Sequence, residues 1–122
     1  MRDYSHYYFN KKIRWANVGY QYDWNNRTYP SEKSQLPPEL EDLSNKTRDF
    51  ISDEIPNIFD YKAESTIINF YDSKNYMGGH LDDGEKDQIS PIFSYSFGLS
   101  CVFLMGGKTK DVRPWAIKID SG

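Results

Sequence analysis

Apolar residues recur along the chain with two different periods. Between residues 38 and 54, Leu40, Leu43, Thr47, Phe50, Ile51 and Glu54 follow steps of three and four, the spacing of one face of an amphipathic helix. Pro38 suits the first turn of that helix and Pro56 ends it. Elsewhere the period is two. Ile13 to Trp24 alternates loosely through Trp15, Val18, Tyr20 and Tyr22 and reads as strand with a break at Gly19. Residues 25–38, with Asn25-Asn26, Pro30-Ser31 and Pro37-Pro38, form a loop. Ser65 to Tyr71 is β-branched and apolar. Asp72 to Gly79 is a turn whose Gly78-Gly79 lets backbones approach. Pro91 to Gly98 alternates cleanly, with Phe93, Tyr95 and Phe97 on one face. Ser100 to Met105 is a continuous apolar run, the pattern of a strand buried on both faces. Gly106-Gly107 and the charged stretch Lys108–Arg113 make a hairpin loop, and Trp115, Ile117 and Ile119 form a last strand. The expected fold class is α+β, mainly β: one helix near residues 38–54 packed on an antiparallel sheet or double sheet. Residues 1–12 have no period and read as a tail or the remnant of an upstream segment. Residues 13–122 form one domain region.

Length and composition narrow this picture. A chain of 122 residues and 14.3 kDa holds one domain and can bury a core. Aromatics make up 16% of it and apolar residues only 38%, so aromatic rings are expected to carry much of that core. No run approaches the ~18 apolar residues of a membrane span, and no basic-then-apolar leader opens the sequence. The expectation is therefore no membrane partner. The single Cys cannot form an internal disulfide, which suits a reducing, intracellular compartment. Nothing in the sequence separates nucleus, cytoplasm and mitochondrion. Fifteen basic against 18 acidic residues give a net charge of −3, which excludes a uniformly basic nucleic-acid coat. Local patches remain: Lys11, Lys12 and Arg14, then Lys108, Lys110 and Arg113. Both are read as phosphate contacts or solvated loops. Cys101 lies in the run expected to be buried and is expected to be inert.

Three short patterns carry chemistry. In His80-Leu81-Asp82, residues two apart share a strand face, so an imidazole and a carboxylate can reach one point. These are two of the three donors in the facial triad of non-haem Fe(II). The same tripeptide, followed by Asp83-Gly84-Glu85, also reads as a solvated turn. Asn69-Phe70-Tyr71 sets an amide and a phenol on one face with Ile68 and Phe70 on the other. It is either a pocket wall or a half-exposed edge strand. Ser94-Tyr95-Ser96-Phe97-Gly98 places small hydroxyls on one face and by itself is ordinary sheet.

Taken in order, N-x-Y at Asn69–Tyr71, H-x-D at His80–Asp82, S-x-S-x-G at Ser94–Gly98 and F-x-x-G-G at Phe103–Gly107 resemble the AlkB family. Arg14-Trp15 followed by Gly19-Tyr20-Gln21-Tyr22-Asp23-Trp24 is similar to the R-W…G-Y-x-Y-x-W segment of its homologue 1 branch. Glu85 matches an acidic position of that branch. The resemblance covers about residues 13–122. It implies a partial double-stranded β-helix, jelly-roll-like, with Fe(II) and 2-oxoglutarate as cofactor and cosubstrate. The implied partner is a nucleic acid, DNA or RNA, carrying an N-methylated base, and the implied reaction is oxidative demethylation. His80 and Asp82 would ligate iron and act in catalysis with Glu85. Asn69, Tyr71 and Met77 would hold 2-oxoglutarate. Tyr20, with Trp15 and Tyr22, would meet the nucleotide, although rings in an aromatic-rich chain also serve as core. The resemblance further implies a second iron-binding His and Arg residues that pair with 2-oxoglutarate, all downstream of the motifs present. The chain is thus expected to be incomplete as a catalyst, with an unpaired sheet edge near Trp115–Asp120 open to association. Other readings of the same residues are a non-catalytic nucleic-acid-binding module and a hydroxylase of protein side chains.

Overall fold

The computed structural model describes residues 13–122 except 24, 27, 30–33 and 86, so the expectations for residues 1–12 and for Trp24 lie outside the described residues. The element order is β1 (Trp15–Gly19), α1 (Pro38–Phe50), a short 3-10 turn (Ile58–Asp60), β2 (Ser65–Asn69), β3 (Cys101–Met105) and β4 (Trp115–Ile119). They fall into two compact units, residues 1–77 and 78–122. Each unit is described by itself.

In the first unit, β1 and β2 pair antiparallel, with Trp15 opposite Asn69 and Gly19 opposite Ser65. The Phe70 amide donates to the Arg14 carbonyl at 2.8 Å and the Tyr20 amide to the Glu64 carbonyl at 2.9 Å, extending the pairing at both ends. The break expected at Gly19 is present. Gly19 has φ +85, and a Cβ there would lie 2.1 Å from the Glu64 carbonyl oxygen, so only glycine fits. The described residues between 25 and 37 carry no helix or named strand, and one isolated bridge joins Asp23 to Thr28. Its Asp23 carboxylate accepts bonds from Asn26 and Asn25, and these, Asn26 first, hold its pKa below the usual value.

Helix α1 begins where the proline pattern placed it. Pro38 needs no amide partner at a helix start, and Glu39 and Glu41 sit where the helix dipole favours negative charge. It stops at Phe50, four residues short of the expected end. Beyond it the chain makes single turns, Glu54 and Ile55 amides to the Ile51 carbonyl. The Ser52 hydroxyl donates to the Asp49 carbonyl at 2.9 Å, a local bond that competes with the helical ladder. Asn57, with φ 63, then reverses the chain just after Pro56. Ile58 at 2% exposure is the buried apolar side chain among the described residues. The expected aromatic core is not seen there: Phe50, Phe59, Tyr76, Phe97 and Trp115 are all exposed.

The second unit is built on β3 and β4, antiparallel, with Cys101 opposite Ile119 and Met105 opposite Trp115. The loop between them is the Gly106–Arg113 hairpin that the sequence indicated. The run expected to be buried on both faces is instead exposed along all five residues of β3, and Cys101 is an exposed free thiol. Continuous apolar character sets a strand's capacity for burial; burial itself needs a layer on each face. The 91–98 segment forms no strand. The Gly122 amide donates to the Ser96 carbonyl at 3.0 Å and the Gly98 amide to the Ser121 hydroxyl at 3.1 Å, bonds that set no strand register. Gly78 and Gly79 also differ from expectation, since a Cβ at either would meet nothing within 4 Å. No described helix is long and apolar enough to cross a membrane.

Candidate active site

The antiparallel register fixes a cleft in the first unit. Because Trp15 pairs with Asn69, the start of β1 and the end of β2 share one edge of the first unit. The chain leaves β2 through Phe70 and Tyr71 and turns at Asp72. There the Asn75 amide donates to the Asp72 carbonyl at 3.1 Å and the Lys74 amide to its carboxylate at 2.8 Å. That turn brings Asn75, Tyr76 and Met77 back beside the strand end. The result is a cleft of about 250 Å³ lined by Arg14, Trp15, Asn69, Phe70, Tyr71, Asn75, Tyr76 and Met77. Its size lies below the ~300–1,000 Å³ range of pockets for drug-sized ligands and suits a small molecule. The Tyr71 hydroxyl reaches the Met77 sulfur at 3.8 Å. Arg14 Nη1 lies 3.6 Å from Asp72 Oδ2, each side chain about half exposed.

All three residues expected to hold 2-oxoglutarate, Asn69, Tyr71 and Met77, therefore line one cleft, with Trp15 beside them. The other two expected substrate residues are elsewhere in the unit. Tyr20 and Tyr22 lie beyond the Gly19 end of β1 and both pack edge-on against Tyr29, at centroid separations of 6.5 and 5.1 Å. Five strand residues at ~3.3 Å each put that cluster roughly 16 Å along β1 from Trp15. Sequence reading missed Tyr76, Asn75 and the placement of Arg14. The signal was available, since the two residues before Met77 must share its return path from the Asp72 turn.

Two further candidate residues belong to the second unit. His80 and Asp82 are on an extended loop, not in a hydrogen-bonded strand. They still face each other, with Nε2 of His80 3.3 Å from Oδ1 of Asp82. His80 Nδ1 lies 2.8 Å from the Gly78 carbonyl. A carbonyl only accepts, so Nδ1 carries a proton and donates, and Nε2 is the nitrogen turned to the carboxylate. Two lone-pair donors this close repel unless a proton or a metal cation sits between them. Two donors ~2.1 Å from an octahedral ion lie about 3 Å apart, so the pair fits adjacent corners of a metal's coordination sphere. An imidazole held by its second nitrogen on a backbone carbonyl is the usual support of a metal-binding His. Among the described residues no group of three His, Cys, Asp or Glu is gathered, so the pair accounts for two protein donors. Glu85 follows on the same exposed loop. Just beyond it, the Ser90 hydroxyl and the Ile89 and Ser90 amides bond the Asp87 carboxylate and hold its pKa below the usual value.

Comparison with known proteins gives these residues a context. The sequence pattern of the 2OG-Fe(II) oxygenase superfamily matches residues 2–122. The chain belongs to the 2OG-Fe(II) oxygenase superfamily and, within it, to the AlkB family. It is 35% identical over 115 residues to the tRNA demethylase abh1 of Schizosaccharomyces pombe, covering 93% of this chain and 37% of that protein. It is 38% identical over 114 residues to the DNA N(6)-methyladenine demethylase ALKBH1A of Arabidopsis thaliana, covering 92% of this chain and 32% of that protein. It is 35% identical over 113 residues to the nucleic acid dioxygenase ALKBH1 of Homo sapiens, covering 92% and 28%. The chain thus spans about a third of the length of these relatives. The superfamily implies a double-stranded β-helix with Fe(II) and 2-oxoglutarate. Four described strands with one helix are consistent with that class.

Proposed function

We propose that the chain is part of an oxygenase domain that removes N-methyl groups from bases of nucleic acid. His80 and Asp82 would hold Fe(II), and Asn69, Tyr71 and Met77 would hold 2-oxoglutarate. The observation that carries this reading is the His80–Asp82 pair, two metal donors facing each other with the second imidazole nitrogen tied to Gly78. The names of the relatives supply the substrate class. Iron and 2-oxoglutarate together supply the oxidising chemistry; the methyl group leaves as formaldehyde after hydroxylation. The protein's share is placement. Asn69 offers an amide and Tyr71 a hydroxyl to an anionic cosubstrate, while Met77 and Phe70 give its carbon chain an apolar wall. Glu85, on the loop after the metal pair, would meet the substrate. An exposed free thiol at Cys101 suits a reducing, intracellular compartment.

Two protein donors hold Fe(II) weakly. A third ligand and an Arg for the far carboxylate of 2-oxoglutarate would come from outside these residues, and so would the partner for the β4 edge. The test supplies Fe(II), ascorbate, 2-oxoglutarate and a methylated oligonucleotide or a peptide to the 122-residue chain and to a longer form of the protein, and measures succinate. Succinate from the longer form with methylated oligonucleotide is expected. Equal turnover by the 122 residues alone would overturn the ligand assignment. Succinate only with peptides would make the protein a side-chain hydroxylase, and oligonucleotide binding without succinate would make it a non-catalytic module.

A further inference from the structure

The cleft of the first unit has a rim that the cosubstrate does not use. Tyr76 lines it while remaining 89% exposed, and it makes no hydrogen bond or ring contact among the described residues. A large ring left in water costs hydrophobic free energy unless something covers it. Tyr76 directly follows the turn that the Asp72 carboxylate and carbonyl fix through Lys74 and Asn75, so its backbone is held. Trp15, half exposed, lines the same cleft. Arg14 lines the same cleft as the two rings. Its ion pair with Asp72, at 3.6 Å and with both side chains half exposed, is of the kind worth at most ~1 kcal/mol and is readily exchanged for a better anion.

Aromatic faces beside a weakly engaged guanidinium are the two components of single-stranded nucleic-acid recognition. Bases stack on rings, and the backbone phosphate takes the cation. We propose that Tyr76 and Arg14 form a strand-binding rim: a base of a single-stranded segment stacks on the Tyr76 ring while Arg14 leaves Asp72 for the adjoining phosphate. This rests on the nucleic-acid reading above and names residues within it. Charge complementarity chooses the occupant. A peptide or an apolar surface would use Tyr76 but would give Arg14 no reason to exchange its carboxylate.

The test measures fluorescence anisotropy of an unmethylated single-stranded oligonucleotide bound by the chain, without iron or 2-oxoglutarate, across a salt series. Tyr76→Ala is expected to weaken binding about 5- to 150-fold, the range for one lost base stack, and Tyr76→Phe to rescue it. Arg14→Gln is expected to lower the slope of log affinity against log salt by about 0.7, one phosphate contact on a single strand. Phe50→Ala, an equally exposed ring at 88% on the end of α1, is expected to leave binding as it was. Equal loss at Tyr76 and Phe50, failure of Phe to rescue, or an unaltered salt slope in Arg14→Gln would each overturn the proposal. Succinate production is a separate readout. A longer form that turns over methylated oligonucleotide while Tyr76→Ala binds normally would sink the rim and leave the oxygenase reading standing.

Discussion

The two units contain the same motif, a pair of five-residue antiparallel strands, and bury it very differently. In the first unit β1 is exposed only at Trp15 and closes on the buried Gly19. In the second, β3 is the more apolar strand and is exposed throughout. Hydrophobicity of sequence therefore ranks these strands in the reverse order of their burial. The difference also divides the chemistry. The first unit holds a cleft built from long-range pairing, whereas the His80–Asp82 pair of the second is built from residues within a few positions of one another.

The sharpest way to break that division is at the His80–Asp82 pair. In a longer form of the protein, His80→Ala should abolish Fe(II) retention, measured as iron content after anaerobic dialysis, and leave the near-ultraviolet circular dichroism of the aromatic residues unaltered. Loss of both would mean that the pair also supports the fold. The next effect is structural. Gly19→Val puts a branched side chain where φ is +85 and a carbonyl lies 2.1 Å from Cβ, and should cost more than about 3 kcal/mol by urea titration. Gly78→Ala, with open space and an ordinary φ, should cost under about 1 kcal/mol.

Burial supplies a third contrast. Ile58→Ala should cost about 2–4 kcal/mol, whereas Leu104→Ala, on the exposed β3, should stay within about 0.5 kcal/mol. Equal costs would show that β3 is covered in solution. The smallest effect is that of pH. The folded pKa of Asp23 is lowered from 3.8, first by the Asn26 amide. Its contribution is therefore whole above the unfolded value and is lost as pH falls through the folded one. The Asn25–Asn26 turn should hold at about pH 5 and open below about pH 3.8. Amide shifts of those two residues report it, and a turn that opens near neutrality would contradict the assignment.

What was legible in the sequence was mostly local. The start of α1 follows from Pro38 and its two early glutamates, and the β3–β4 hairpin from Gly106-Gly107 between apolar runs. The His80–Asp82 approach was also anticipated, although a loop delivers it where a strand was expected. Less legible was whatever depends on a partner. Pro91–Gly98 alternates as well as any strand, yet alternation specifies faces and not a neighbour to pair with. The exposure of Cys101 has the same origin. At the site, the N-x-Y spacing pointed to Asn69 and Tyr71, and the register of β1 on β2 added Trp15 and Arg14. Tyr20 and Tyr22 belong to the same sequence motif as Trp15, but Gly19 turns the chain between them and Tyr29 takes their edges. The helix end was overrun because the apolar spacing continues to Glu54 while Ser52 and Pro56 oppose the backbone that would carry it.

The bond from His80 to the Gly78 carbonyl has a kinetic consequence. The carbonyl, the imidazole and the Asp82 carboxylate lie within five consecutive residues. Closing even a ten-residue loop takes only about 10–100 ns, so these groups can meet long before any distant strand pairing forms. Assembly of the pair is thus decoupled from the slow step of folding. A nascent chain could present both donors to a passing divalent ion while the rest of the polypeptide is still searching for its register.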